Sequence, residues 1–309
     1  MARSGAVGDK IFRTVLFVAA SSILLLVAAI FYMLVSHSMP TIQTYGASFL
    51  FGYEWNPPQN AFGALPFIYG TIVSSLIGLL IAVPISLGIA IFLVEQAPKG
   101  IARPIAFLVE LLAAIPSVVY GLWGIFVLAP FIRNYLGVFL QEYFGFLPIF
   151  EGRLTGIGML TAGIILAIMI TPIVTAVVRD VLEAVPTTQR EAALALGATK
   201  WETTRIVLGN AASGIAGAVV LGLGRAVGET MAVTMVIGNS PQISASLFEP
   251  AYTIASVLAA NFADATEEVY LSALIEMGLI LFLLTFVVNG FAKLLVMRVT
   301  REARSAGHV

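Results

Sequence analysis

The stretch P-T-T-Q-R-E-A-A-L-A-L-G-A-T-K-W-E-T-T-R, Pro186 to Arg205, decides how the rest of the chain is read. It is a polar, basic, helix-forming island between two long apolar runs. Two T-x-x-E patterns, Thr188 to Glu191 and Thr199 to Glu202, stand on either side of Gly197. In such a capping box the Thr hydroxyl accepts from an orphan backbone N–H three residues on, and the Glu reaches back to the Thr N–H. The spacing predicts helix, sharp turn, helix, with Gly197 taking a left-handed cap. Ala192, Ala193 and Ala195 are strong helix formers with small side chains, so another protein can approach the backbone closely. A rigid elbow of this kind between membrane runs is a handle for a partner.

Composition places those runs in a bilayer. The 309 residues are 59% hydrophobic and only 11% charged, with a mean hydropathy of +0.99. Soluble domains carry roughly 25% charged residues. Cysteine is absent, which excludes a disulfide framework and a Cys-ligated metal. The two histidines, His37 and His308, fall at a helix end and in the tail, so neither a metal nor a cofactor is expected.

Six runs are long enough for a hydrocarbon core that takes about 20 helical residues to cross. They are Ile11–Val35, Phe67–Val94, Ile105–Phe131, Gly156–Val178, Ala211–Ile237 and Val269–Met297. The first is too long, and too weakly followed by a small-residue cleavage site, to be a removed signal peptide. With the N-terminus inside, the inner segments hold Arg3, Lys10, Arg13, Lys99, Arg103, Arg179, Arg190, Lys200, Arg205, Lys293, Arg298, Arg301 and Arg304. The outer segments hold Arg133 and Arg153. The positive-inside rule therefore predicts both termini in the cytoplasm. The outer segments Ser36–Pro66, Asn134–Arg153 and Asn239–Glu268 read as loops and short helices lying against the outer face, each too small for its own core. No G-x-x-x-x-G-K-[ST] phosphate cradle occurs, so any energy for transport comes from another chain or an ion gradient.

Prolines punctuate the spans at Pro84, Pro116, Pro130 and Pro172. Pro116 and Pro172 are read as kinks inside the third and fourth spans, either of ordinary packing or opening space in the bundle. The fifth span carries G-L-G-R-A-V-G-E-T-M-A-V, Gly222 to Val233. Twelve residues past Ser213, or roughly 18 Å along a helix, Arg225 is expected near mid-bilayer. A charge there is costly and must face the bundle interior. Glu229, four residues on, is expected on the same face and able to pair with it. Gly224 and Gly228 form a G-x-x-x-G through which a neighbouring backbone can approach.

Two readings of Arg225 and Glu229 stay open. One is a structural clamp between helices. The other is a way-station for anions, since the guanidinium fork suits a tetrahedral oxyanion and the carboxylate can accept from a protonated substrate. Glu110, Glu276 and Asn289 are the remaining polar candidates within spans, with Glu110 near the inner end of the third and Glu276 in the outer third of the sixth, both expected to be interfacial or paired with another subunit. Thr230 and Thr234 are expected to bond back to their own helix carbonyls.

The run E-A-A-L-A-L-G-A-T-K-W-E-T-T-R-I-V-L, Glu191 to Leu208, resembles the E-A-A loop of binding-protein-dependent ABC importer permeases of the type I fold. In that family the elbow is the coupling helix that sits in a groove of the ATP-binding subunit. Glu191, Ala192, Ala193 and Gly197 match the motif, and Thr199 and Glu202 cap its second arm. The family usually closes the loop with Leu-Pro, whereas this chain has Leu208-Gly209. Three further segments are similar to phosphate-specific permeases of the PstC type. They are E-L-L-A-A-I-P-S-V-V-Y-G at Glu110–Gly121, G-R-A-V-G-E-T-M-A-V at Gly224–Val233 and F-G-A-L-P-F-I-Y-G-T at Phe62–Thr71.

The resemblance implies an all-α, six-span membrane permease without catalytic residues, with Arg225 and Glu229 on the phosphate path. It divides the chain into a flanking helix with its periplasmic loop (1–66), a permease core (67–297, with a coupling loop at 179–210) and a cytoplasmic tail (298–309). It also implies a bacterial inner membrane and four kinds of partner beyond lipid: a sister permease of the PstA type, an ATP-binding subunit dimer of the PstB type, a periplasmic phosphate-binding protein of the PstS type and a possible sensor-kinase link. Sulfate, molybdate or tungstate would suit the same arginine. A proton-coupled secondary transporter could use an Arg–Glu pair too, but would need no elbow.

Overall fold

Long apolar runs become long helices because, without water, only internal backbone pairing satisfies every N–H and C=O. The computed structural model describes residues 2–306. The side chains of Arg3, Lys99, Arg298, Arg301 and Arg304 lie outside what is described, as do His308 and the end of the 298–309 tail. Among the described residues, six helices are long and apolar enough to cross a membrane: Gly8–Tyr45, Leu65–Gln96, Ser117–Phe144, Met159–Glu183, Lys200–Gly228 and Glu268–Leu294.

In chain order, α1 (Ala2–Tyr45) and the short α2 (Ser48–Phe51) lead to a two-residue hairpin, β1 (Trp55–Asn56) and β2 (Ala61–Phe62). Then come α3 (Leu65–Ile91, prolonged by a wider turn to Gln96), α4 (Lys99–Ala114) and α5 (Ser117–Phe144). The second half holds α6 (Met159–Glu183), α7 (Thr187–Ala195), α8 (Lys200–Gly228), α9 (Met231–Val236), α10 (Ile254–Asn261) and α11 (Glu268–Ala306).

The bundle is built around α6. Two-thirds of its most apolar window is buried (67%), against none of that of α1, so α6 is the axis and α1 a peripheral strut. Its most extensive partner is α3, and glycines set that distance. A Cβ on Gly78 would come within 2.9 Å of the Leu166 Cβ, and one on Gly163 would collide with Ile77. Where lipid tails are as apolar as leucine, such close approach is what holds helices together. The strut α1 docks on α11 through polar groups. The Thr41 hydroxyl donates to Ser272 Oγ (2.7 Å), and Ser272 Oγ donates to the His37 carbonyl (2.9 Å).

Several expectations are corrected. The third span is Ser117–Phe144, not Ile105–Phe131. Pro116 does not kink a span: it holds an extended backbone between α4 and α5, because proline in a helix interior would delete an N–H and clash with the preceding turn. Glu110 accordingly sits on α4, whose polar side is tied to α6 by an ion pair from Arg179 Nη1 to Glu110 Oε1 (2.8 Å). The expected outer loop Asn134–Arg153 begins only after Phe144, and Arg133 falls inside α5. The segment Asn239–Glu268 does not merely lie against the bundle. Tyr252, Ile254, Ser256 and Val257 are buried in it, and the Ile254 N–H donates to Thr71 Oγ1 of α3 (2.9 Å). Glu276 is covered by its own chain rather than presented to another subunit: it is 6% exposed, and its Oε2 has no partner among the described residues. The fifth span starts at Lys200 rather than Ala211, with consequences described next.

Candidate functional site

The elbow is α7, a turn and the start of α8. Pro186 precedes α7 and offers no side-chain acceptor, so the helix starts at Thr187 without a side-chain cap. Thr188 lies inside that first turn, and the expected Thr188–Glu191 capping box does not form. The second box does. The Thr199 N–H donates to Glu202 Oε2 (2.7 Å), and the Glu202 N–H donates to Thr199 Oγ1 (3.3 Å). Between them Gly197 takes φ +86°, a left-handed conformation that costs other residues roughly 1–2 kcal/mol. A Cβ there would meet nothing within 4 Å, so backbone conformation alone calls for glycine.

The two arms are pinned to the bundle. Arg190 Nη2 (2.8 Å) and Nε (3.1 Å) donate to Glu95 Oε1, at the foot of α3. The same guanidinium donates to the carbonyls of Val185 (2.6 Å) and Leu182 (2.9 Å), closing the frayed end of α6. Asn210 Nδ2 of α8 donates to Gln189 Oε1 of α7 (2.7 Å). Glu191 and Ala192 face solvent, while Ala193 is buried against the bundle and is not available to a partner. In its place the elbow exposes Leu194, Leu196 and Trp201, at 52%, 90% and 66%. Large apolar side chains on a polar loop mark a contact surface. Small residues at helical spacing do not signal these three side chains, whose exposure is set by how the elbow sits on the bundle.

From Thr199 the backbone runs on as one helix. Leu208-Gly209 stands where a proline would have removed an N–H, so α8 is unbroken for 29 residues. Arg225 is in its last turn, where a cation also favours the helix dipole. It therefore stands near the end of the unbroken helix, just before the turn into α9. Lys200 and Arg225 stand about 37 Å apart along one rod at 1.5 Å per residue.

The helix stops at Gly228, and Glu229 has extended backbone (φ −70°, ψ 123°). The expected same-face pairing is thereby lost, and no Arg225–Glu229 ion pair is present among the described residues. Glu229 Oε1 instead accepts from the Ala232 N–H at the start of α9 (3.4 Å). Arg225 is exposed and lines a cleft of about 500 Å³ with Ile173 of α6, Gly217 and Gly224 of α8, and Asn289 of α11. Gly224 does not admit a close backbone in this chain: a Cβ there would meet only the Asn289 side chain, at 3.8 Å. The close approach on α8 is two residues earlier and on another face, where Gly222 packs on Ile170 and Val174. Thr234 Oγ1 donates to the Thr230 carbonyl (2.7 Å) and Thr230 Oγ1 to that of Gly228 (3.2 Å), so both bond back locally. No cluster of His, Cys, Asp or Glu able to hold a metal occurs among the described residues.

Comparison with known proteins fits this architecture. Residues 68–301 match the family model for the binding-protein-dependent transport system inner membrane component. The chain is 46% identical to the phosphate transport system permease protein PstC of Xylella fastidiosa (strain 9a5c), over 95% of this chain and 92% of that one. Identity with the protein of the same name from Mesorhizobium japonicum is 46% over 96% and 92%. With the probable phosphate transport system permease protein PstC of Methanocaldococcus jannaschii it is 38% over 82% of each chain. The fold is similar to inward-facing structures of the MetNI methionine ABC transporter. The TM-scores are 0.53 and 0.55, at 21% and 20% identity, over 77% of this chain and 94% of that one.

Proposed function

The chain belongs to the family of binding-protein-dependent transport system inner membrane components, multi-pass membrane subunits of the type I ABC importer permease fold, and on that premise we propose that it conducts inorganic phosphate inward. In this reading it lies in a bacterial inner membrane with both termini cytoplasmic. It pairs with a sister permease of the PstA type, receives phosphate from a PstS-type binding protein and is driven by two PstB-type ATPase subunits. The relatives' printed names support phosphate as the cargo. This subunit itself makes and breaks no bond.

One observation carries the mechanism: α8 is a single rod with the capped elbow at one end and Arg225 at the other. The exposed Leu194, Leu196 and Trp201, with Glu191, Ala192 and the Gly197 turn, present the elbow to the ATPase. Thr199 and Glu202 keep the first turn of the rod from fraying. When the ATPase closes, a displacement of the elbow is delivered to Arg225 without loss in a flexible joint, as rigid-body switching requires. Arg225 offers its donors to the anion, and Glu229, freed from the arginine by the helix break, holds the turn into α9.

The test is labelled phosphate uptake into vesicles carrying the four-component complex. Uptake is expected to need ATP and to be competed by phosphate but not by sulfate, molybdate or tungstate. Uptake driven by a proton gradient alone, with no ATPase attached, would remove this reading.

A further inference from the structure

The cleft that holds Arg225 has a second polar wall that the proposed path does not use. Asn289 stands on α11 opposite Gly224, the residue just before the arginine, and lines the same cleft. Its Oδ1 is shielded from solvent and has no hydrogen-bond partner among the described residues. Shielded acceptors are nearly always paired, and an unpaired one calls for an explanation. Crowding by α8 is not the cause, since even a Cβ on Gly224 would stay 3.8 Å from the carboxamide.

The chemistry of the two walls is complementary. A guanidinium offers donors and nothing else, so any tetrahedral oxyanion satisfies it equally. Phosphate near neutral pH keeps at least one P–OH, which needs an acceptor. Sulfate, molybdate and tungstate carry no such donor there. Glu229 is not among the residues lining this cleft, and its charge would repel the anion. Asn289 is an acceptor without a charge, so once its carboxamide turns about the broad χ2 torsion into the cleft it takes the P–OH without repelling the anion. The same side chain also borders the adjoining groove between α1 and α11, where Lys293 stands one turn further along.

We propose that Asn289 is the acceptor that reads the protonated oxygen of phosphate, making the Arg225 cleft a site for protonated tetrahedral oxyanions rather than for oxyanions in general. This rests on the assignment of Arg225 to the anion path. A site built around a substrate hydroxyl rejects an analogue lacking it, because the buried acceptor is then left empty.

The experiment measures binding of radiolabelled phosphate and radiolabelled sulfate to the assembled complex in lipid nanodiscs, without the binding protein, so that upstream selection is removed. Intact complex is expected to prefer phosphate by about tenfold or more, the scale of one hydrogen bond to a charged partner. Asn289→Leu and Asn289→Ala should bring phosphate down to the sulfate level and leave sulfate unchanged. Asn289→Gln, which keeps a carboxamide, should restore part of the preference. Two truncations of different size, each checked for co-purification with the ATPase, keep a packing defect from deciding the result. Wild-type phosphate affinity in both, or equal loss of both anions, would overturn the proposal. Arg225→Gln separates the two levels. If it loses both anions while the Asn289 variants bind normally, only Asn289 is misassigned; if it binds both as the intact complex does, the anion path itself is elsewhere.

Discussion

Removing the Arg190 side chain should uncouple the elbow from the bundle, and the structure sets the scale. Arg190 gives two hydrogen bonds to Glu95 Oε1, at 2.8 and 3.1 Å, and one each to the Leu182 and Val185 carbonyls. The side chains are only 18% and 9% exposed, so Arg190→Ala leaves a nearly buried carboxylate with no counter-charge. Breaking such a pair from one side costs about 3–5 kcal/mol. The lower end applies here, because both groups lie at a helix foot near water. About 3 kcal/mol is roughly a 150-fold shift between docked and undocked elbow. Glu95→Gln should cost less, about 1 kcal/mol, since a neutral acceptor remains and charge-assisted bonds are about twice as strong as neutral ones. Glu95→Ala combined with Arg190→Ala should recover much of the loss, because the orphan charge is gone and water can take the two carbonyls. The assay is phosphate transported per ATP hydrolysed in proteoliposomes, read beside hydrogen exchange of the 187–199 amides. Normal coupling in Arg190→Ala, or a double variant as impaired as the single, would refute the anchor.

Three other outcomes are expected. Gly197→Val should reduce transport more than it reduces ATPase activity while the protein still reaches the membrane, whereas Gly197→Asn, which tolerates a left-handed backbone, should retain most coupling; equal behaviour of the two variants would remove the backbone argument. Leu196→Ser with Trp201→Ser should lower recovery of the ATPase by pull-down without changing the amount of permease in the membrane, since both side chains are mostly exposed; unchanged recovery would place the docking surface elsewhere. Gly163→Val should deplete the protein from the membrane, because its side chain would overlap Ile77 in the α3–α6 contact, and a normal level would mean that these helices are not held at glycine distance.

What was legible in the sequence is local physics. Apolar runs of the right length announce spans wherever they occur, because every backbone group must be satisfied inside its own helix. That principle located most of the span material, and T-x-x-E with a glycine gave the turn at Gly197 and the cap at Thr199. It failed where two local rules compete. Pro186 and Thr188 both signal a helix start, and proline prevailed by fixing the backbone first. Hydropathy alone merged α4 with α5, since it does not register that an extended turn at Pro116 separates two helices. Pairing of Arg225 with Glu229 needs a helix that continues through Glu229, and the break after Gly228 separates them.

Composition and spacing by themselves determined that this chain is a six-helix membrane protein with a polar elbow ahead of its fifth long helix and an arginine within that helix, since those properties reside in single segments. Tertiary structure alone decided which residues meet across helices: Arg190 with Glu95, Arg179 with Glu110, and Asn289 with the Arg225 cleft. These partners are 95, 69 and 64 residues apart in the chain, and nothing local links them. Their meeting depends on how glycine-spaced helices stack around α6, a property of the packed bundle and not of any one stretch.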